Sequence, residues 1–207
     1  MCRLAQCFQW FLTVVHCTPL QAIVLVLMIS LLLAGCSGTS GDTEKLAEFR
    51  ERLGDAPTIA AVAEITADFG DSVQKYTLSY TQDERESRIE ILEPELLRGV
   101  AASIGAGGLT MEYGGLILDA GELNADRLTP VSALPTIISS ILNGHIEAAW
   151  REEDGEKSWL CYELVVTDET TQYLWLDESG PVPFRAELRS GGRVVIECIF
   201  TEWNEVS

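Results

Sequence analysis

Histidine, cysteine and clustered carboxylates are the side chains here that could carry chemistry. His145 is the one histidine after Cys36. A Cys–His pair would need a thiolate at neutral pH beside the imidazole, and the thiols downstream of Cys36 are Cys161 and Cys198. Cys198 alternates with Val194, Ile196 and Phe200 and so faces a core, while Cys161 shares a strand face with Trp159, Glu163 and Val165. His145 alternates with Glu147 and Arg151, opposite Ile146, Ala148 and Trp150, which turns its ring to solvent. No enzyme is expected on this pattern. Glu152, Glu153, Asp154 and Glu156 lack the alternating ligand spacing of a calcium loop and read as a solvated hairpin tip. Gly105-Ala106-Gly107-Gly108 is followed by no helix start, so it is not a phosphate cradle but a strand connection. No metal and no cofactor is expected.

Cys36 offers a different chemistry. The sequence from Leu4 to Gly41 holds no Lys, Arg, Asp or Glu, and Arg3 with the amino terminus gives a thin positive start. The apolar run at 22–33, AIVLVLMISLLL, is shorter than the roughly 20 residues of a bilayer-spanning helix. It ends in Leu33-Ala34-Gly35-Cys36, which resembles a bacterial lipobox: a branched residue, two small residues, then Cys. The resemblance implies that residues 1–35 are a lipoprotein signal peptide. The Cys36 thiol would carry a diacylglyceryl group, and cleavage would leave it as the first residue. Such an anchor holds a protein stably at a membrane, so the expected location is the extracytoplasmic face of a cell membrane. Cys2, Cys7 and Cys17 would leave with the leader. Cys161 and Cys198 would remain, either bridged or as two separate buried thiols.

The 207 residues carry 14 Lys and Arg against 32 Asp and Glu, a net charge of −18, and all the acids lie after Cys36. A nucleic-acid partner is excluded, because phosphate contacts need clustered bases. Apolar residues make up 47%, too many for a disordered acidic tail. The acidity also disfavours close approach to anionic lipid headgroups. A short tether at 36–42 would hold the body off the membrane.

The elements that must position these residues are mostly strands. Residues 43–53 read as a helix with Thr43 as N-cap and Leu46, Phe49 and Leu53 on one face. About ten short strands follow, separated by turn signals such as Gly70-Asp71, Gly114-Gly115, Asp154-Gly155 and Gly191-Gly192. Links this short join antiparallel neighbours. One segment departs from the period of two. Thr129-Pro130 reads as a cap and first helical residue, and Val131, Leu134, Ile137, Ile138, Ile141 and Leu142 recur at helical spacing up to Asn143-Gly144. Pro135 is expected near the first turn, where its missing N–H costs little. Such a helix must bury its stripe, and the concave face of a curved sheet is the natural place.

An N-terminal helix, a strand meander, an apolar helix after Thr-Pro and a closing meander make a recognisable order. With Ile89-Glu90-Ile91-Leu92-Glu93-Pro94, Gly99-Val100 and a Gly-Gly hairpin before Leu116-Ile117-Leu118, the sequence resembles the LolA/LolB-like lipoprotein-sorting superfamily over residues 43–207. The resemblance implies an α+β fold: a curved, half-closed antiparallel β-barrel of about ten strands. An N-terminal helix precedes it, and the inserted apolar helix caps the concave face. It also implies a non-enzymatic role, binding a hydrophobic lipid or acyl ligand or a protein partner. Germination lipoproteins, which resemble this superfamily in fold, make a cell-wall amidase one such partner.

The interior is the feature with functional potential. Tyr76, Tyr80, Trp150, Trp159 and Trp175 are the candidates to line the concave face, with Leu134, Ile137, Ile138 and Ile141 as the helix side of it. They form either an ordinary core or an acyl-chain cavity under a movable helical lid.

Overall fold

Alternation of apolar and polar residues, interrupted by glycine turns, builds one antiparallel sheet in the computed structural model, which describes residues 39–121 and 128–206. The expected signal peptide, Cys36 and the leader cysteines lie outside the described residues. Helix α1 (Thr39–Asp55) is followed by β1 (Thr58–Asp68), β2 (Val73–Gln82) and β3 (Glu86–Glu93). After a 3₁₀ turn (Glu95–Leu97) come β4 (Ala101–Gly105), β5 (Gly108–Tyr113) and β6 (Leu116–Gly121). Helix α2 (Pro130–Asn143) leads to β7 (His145–Asp154), β8 (Lys157–Val165), β9 (Thr170–Asp177), β10 (Pro183–Ser190) and β11 (Arg193–Val206).

The strand order is β6-β5-β4-β3-β2-β1-β11-β10-β9-β8-β7. Two meanders are therefore joined where β1 pairs with β11, and β6 and β7 are left as the two edges. The sheet is not closed, and α2 is the connection that carries the chain from one edge to the other. Helix α2 touches β3 on one wing and β8 and β10 on the other. Six strand spacings separate β3 from β8, about 29 Å on a flat sheet, against about 10 Å for a helix diameter. The sheet must curl around α2, which gives the expected half-barrel.

The sheet has eleven strands rather than about ten. The addition is β4, Ala101-Ala102-Ser103-Ile104-Gly105, whose small residues give almost no alternation to read. The glycine run that follows is the tight turn between β4 and β5. Helix α1 begins at Thr39, not at a Thr43 cap, so residues expected in the tether already belong to the helix. Its apolar face, Leu46, Phe49 and Leu53, is buried as the spacing predicts.

Helix α2 is specified locally. The Thr129 hydroxyl accepts from the Ser132 N–H at 3.1 Å, and the Ser132 hydroxyl accepts from the Thr129 N–H at 2.8 Å, a reciprocal cap with Pro130 as the first helical residue. Pro135 is the sixth helical residue, further in than expected. At the other end Gly144 donates to the Ser140 carbonyl at 2.7 Å, and a side chain there would place Cβ 2.6 Å from that same oxygen. Arg50 of α1 reaches across to the carbonyls of Ile141 and Gly144, both at 2.5 Å, answering carbonyls that the helix end leaves open.

Candidate functional site

The concave face is a packed aliphatic layer. Leu134, Ile137, Ile138 and Ile141 of α2 are 0–1% exposed, so no water-sized void borders them. They belong to a core with Leu46 and Phe49 of α1, with the small Ala61, Ala63 and Ala67 of β1, and with Leu160, Tyr162 and Leu164 of β8. Tyr80 is on this face as expected. Its hydroxyl donates to Gln82 at 2.6 Å and lies 3.2 Å from Ser87, and burial raises its pKa. Tyr76 is half-buried against the same core and reaches Gln74 at its polar end. Gln172 is fully buried within the sheet, and neither its amide oxygen nor its amide nitrogen has a hydrogen-bond partner among the described residues.

The three tryptophans are placed differently from expectation. Trp150, Trp159 and Trp175 gather with Cys161 and Tyr173 in a second cluster, on the outer side of β7, β8 and β9. For Trp150 the cause is a bulge between Ile146 and Ala148 in the pairing of β7 with β8. Ile146 stands opposite the core residue Leu164, yet after the bulge it is Ala149 that faces Tyr162, and Trp150 faces Cys161. One extra residue inverts every side chain beyond it. For Trp159 and Trp175, both faces of β8 and β9 are buried and the inner positions belong to Leu160, Tyr162, Leu164, Leu174 and Leu176.

The outer cluster is held by polar contacts. Glu152 accepts from the indole N–H of Trp150 at 2.8 Å and of Trp175 at 2.9 Å, and these two bonds hold its carboxyl below the usual range. Trp159 stacks on Phe184 with ring centroids 4.4 Å apart. Arg185 lies over Trp175 and Arg189 over Tyr173, and both guanidinium groups pair with the buried Glu187. Arg185 and Arg189 thus share Glu187 as counter-charge, and Trp159 and Trp175 are each left 8% exposed.

Cys161 and Cys198 are separate free thiols, Cys161 in the outer cluster and Cys198 in the core. Desolvation first, then the charge of Glu152, pushes Cys161 up to about 12. Burial raises Cys198 as well. His145 is exposed and stands opposite Val165, whereas Cys161 stands opposite Trp150 five residues along β7, about 15 Å away at the rise of a strand. A high-pKa thiol that far from the imidazole makes no nucleophilic pair. His145 instead borders an open groove of about 450 Å³ between α2 and the β8–β9 turn, lined by Pro135, Ser139, Ser140 and Val166 among others.

Sequence reasoning missed the tie between α1 and the β7–β8 hairpin. Asp42 is buried and pairs with Arg151 at 2.7 Å, and the Tyr162 hydroxyl donates to the Asp42 backbone carbonyl at 2.6 Å. An acidic residue in a first helical turn and an arginine on a strand give no sequence signal that they meet.

Edge strand β6 is the opposite of the packed interior. All six of its residues are exposed, with Leu116, Ile117 and Leu118 at 66–72% and Tyr113 at the hairpin end also exposed.

No protein-family model matches the chain, and no curated protein does. Solved structures are similar in fold. A LolA superfamily protein from Nitrosomonas europaea shares 15% identity over 83% of this chain and 94% of its own, with a TM-score of 0.45. The lipoprotein LppX of Mycobacterium tuberculosis shares 12% identity over 78% of this chain and 96% of its own, TM-score 0.44. A chain from the complex of the CwlD amidase with the GerS lipoprotein, from Clostridioides difficile, shares 14% over 81% and 96%, TM-score 0.39.

Proposed function

We propose that this protein is a lipoprotein anchored through Cys36 on the extracytoplasmic side of a membrane, and that it acts by binding a protein partner rather than by chemistry of its own. The packed interior carries this reading. A carrier needs a cavity of several hundred Å³ enclosing most of its ligand, and the stripe of α2 that would line one is 0–1% exposed. A contiguous run of exposed apolar residues, Leu116, Ile117 and Leu118, lies at an edge of the sheet instead, and exposed apolar patches mark interaction sites. The sequence resemblance to germination lipoproteins makes a cell-wall amidase one candidate partner.

A second reading, binding of a lipid or acyl ligand, is favoured by Gln172. A buried amide with neither atom satisfied costs stability, and the polar end of a bound ester or amide would answer it if α2 moved. Purification from the native membrane, with lipids and proteins both identified, separates the two. A stoichiometric protein with no interior lipid supports partner binding; an acyl lipid retained after the partner is removed overturns it. Cys36→Ala tests the anchor: the precursor is expected to remain unlipidated and unprocessed, and normal processing with unchanged membrane retention would refute the assignment.

A further inference from the structure

We propose that the free edge of β6 is the docking site, and that its occupant is an extended, apolar strand of a basic partner protein, added antiparallel or parallel to the sheet. This rests on the partner-binding reading above and gives it a surface. The two edges of the sheet differ in how they are defended. Edge strand β7 has a bulge at Glu147, the charged residues Arg151, Glu152, Glu153 and Asp154, and α1 packed beside it through Asp42 and Arg151. Each of these devices blocks strand addition. Edge strand β6 reads Leu116-Ile117-Leu118-Asp119-Ala120-Gly121, with one charge, no proline and no lysine, and no strand partner on its outer side among the described residues.

The side chains extend the argument. Across the sheet, Ala61, Tyr80, Ile89, Ala102, Met111 and Leu118 stand in one register row. Its members from Ala61 to Ala102 are buried, while Leu118 is 66% exposed. The hydrophobic row of the core thus runs out into solvent at β6. An added strand would continue both the backbone ladder and this row, which is the recognition mode of strand augmentation: main-chain bonds for affinity, alternate side chains for specificity. Charge decides the occupant. A second copy would bring another strongly acidic body against this one, with net charge −18, whereas a strand flanked by lysine or arginine is attracted by it and by Asp119.

The probe is a fluorescent synthetic peptide of about ten residues, alternating valine and threonine with lysines at both ends. It is expected to bind, to slow amide exchange in β6 and not in β7, and to bind more weakly as salt rises. Methylating alternate backbone nitrogens of the peptide removes its ladder donors and is expected to lower affinity by about tenfold or more. Leu118→Lys is expected to abolish binding with unchanged thermal unfolding. Should that variant misfold, the exchange measurement on the unaltered chain decides alone. Equal binding of the methylated peptide, protection located elsewhere, or a self-associated species with β6 protected before any peptide is added would overturn the proposal. Interior lipid found in the native protein together with peptide addition at β6 would overturn the partner-binding reading while leaving this edge assignment in place.

Discussion

Ile138→Ala measures whether α2 is core or lid. Ile138 is 1% exposed and packs in the main core with Leu134, Ile137 and Ile141. The substitution removes three carbons, worth about 2.4 kcal/mol at about 0.8 kcal/mol for each. If about half of the roughly 75 Å³ vacated stays empty, the cavity adds about 1 kcal/mol at about 24 cal/mol per Å³. The expected loss is therefore about 3–4 kcal/mol. For a domain of this size that is a fall in Tm of about 6–16 °C. Urea unfolding followed by tryptophan fluorescence reads it directly, repeated after extraction of lipid. A lid must open at low free energy. A loss below about 1 kcal/mol, or one that disappears when lipid is removed, would refute the packed-interior reasoning and restore the carrier reading.

Three further outcomes are expected. Cys161 and Cys198 should resist alkylation in the native protein and react fully in denaturant, with Cys161 slowed about a thousandfold by its raised pKa; rapid native labelling at either, located by peptide mapping, would contradict their burial. Glu152→Gln should destabilise the protein at neutral pH, because a carboxyl held low by the Trp150 and Trp175 indoles contributes stability above the ordinary glutamate value of 4.5 and loses it as pH falls through the folded value. The difference in Tm between variant and parent should therefore shrink below about pH 4.5, and a difference independent of pH would refute the linkage. Arg50→Met leaves the carbonyls of Ile141 and Gly144 without their guanidinium partner and should cost about 1–3 kcal/mol in chemical denaturation; no measurable cost would mean that water replaces it.

The parts of the fold legible in the sequence are those fixed by neighbouring residues. Thr129-Pro130 and the stripe from Val131 to Leu142 specify α2 by themselves, and Gly114-Gly115 turns the β5–β6 hairpin with both residues at positive φ. What could not be read depends on pairing across the sheet. The β7 bulge arises only against β8, so the alternation of Ile146, Ala148 and Trp150 pointed the tryptophan to the wrong face. Strand β4 pairs through its backbone between β3 and β5, and its alanines carry no pattern. Asp42 meets Arg151 across a separation that local spacing does not report. Tyr80 and the four large residues of α2 were legible because each follows an unbroken period up to its place in the core.

The exchange of faces by the tryptophans bears on function as well as on topology. With Trp150, Trp159 and Trp175 inside, the half-barrel would present broad aromatic walls to the helix, which mesh poorly with a ridge of leucine and isoleucine and leave space a ligand could use. With them outside, the inner wall is mostly leucine, isoleucine and the alanines of β1, with Tyr80 and Tyr162 among them, and the α2 stripe is buried against it. The outer tryptophans then pack beside the Glu187–Arg185 pair, with Arg185 over Trp175, Trp159 stacked on Phe184 and Trp150 edge-on to Tyr173. Both faces of this wing are thus largely covered within the chain, with the Gln172 amide on the inner one as a buried polar group left without a hydrogen bond among the described residues. The other wing ends in β6, where a register row of the core reaches solvent at Leu118. Exposed apolar surface and, among the described residues, unpaired backbone coincide at that edge, which is the reason the proposed binding is placed there and not in the concave interior.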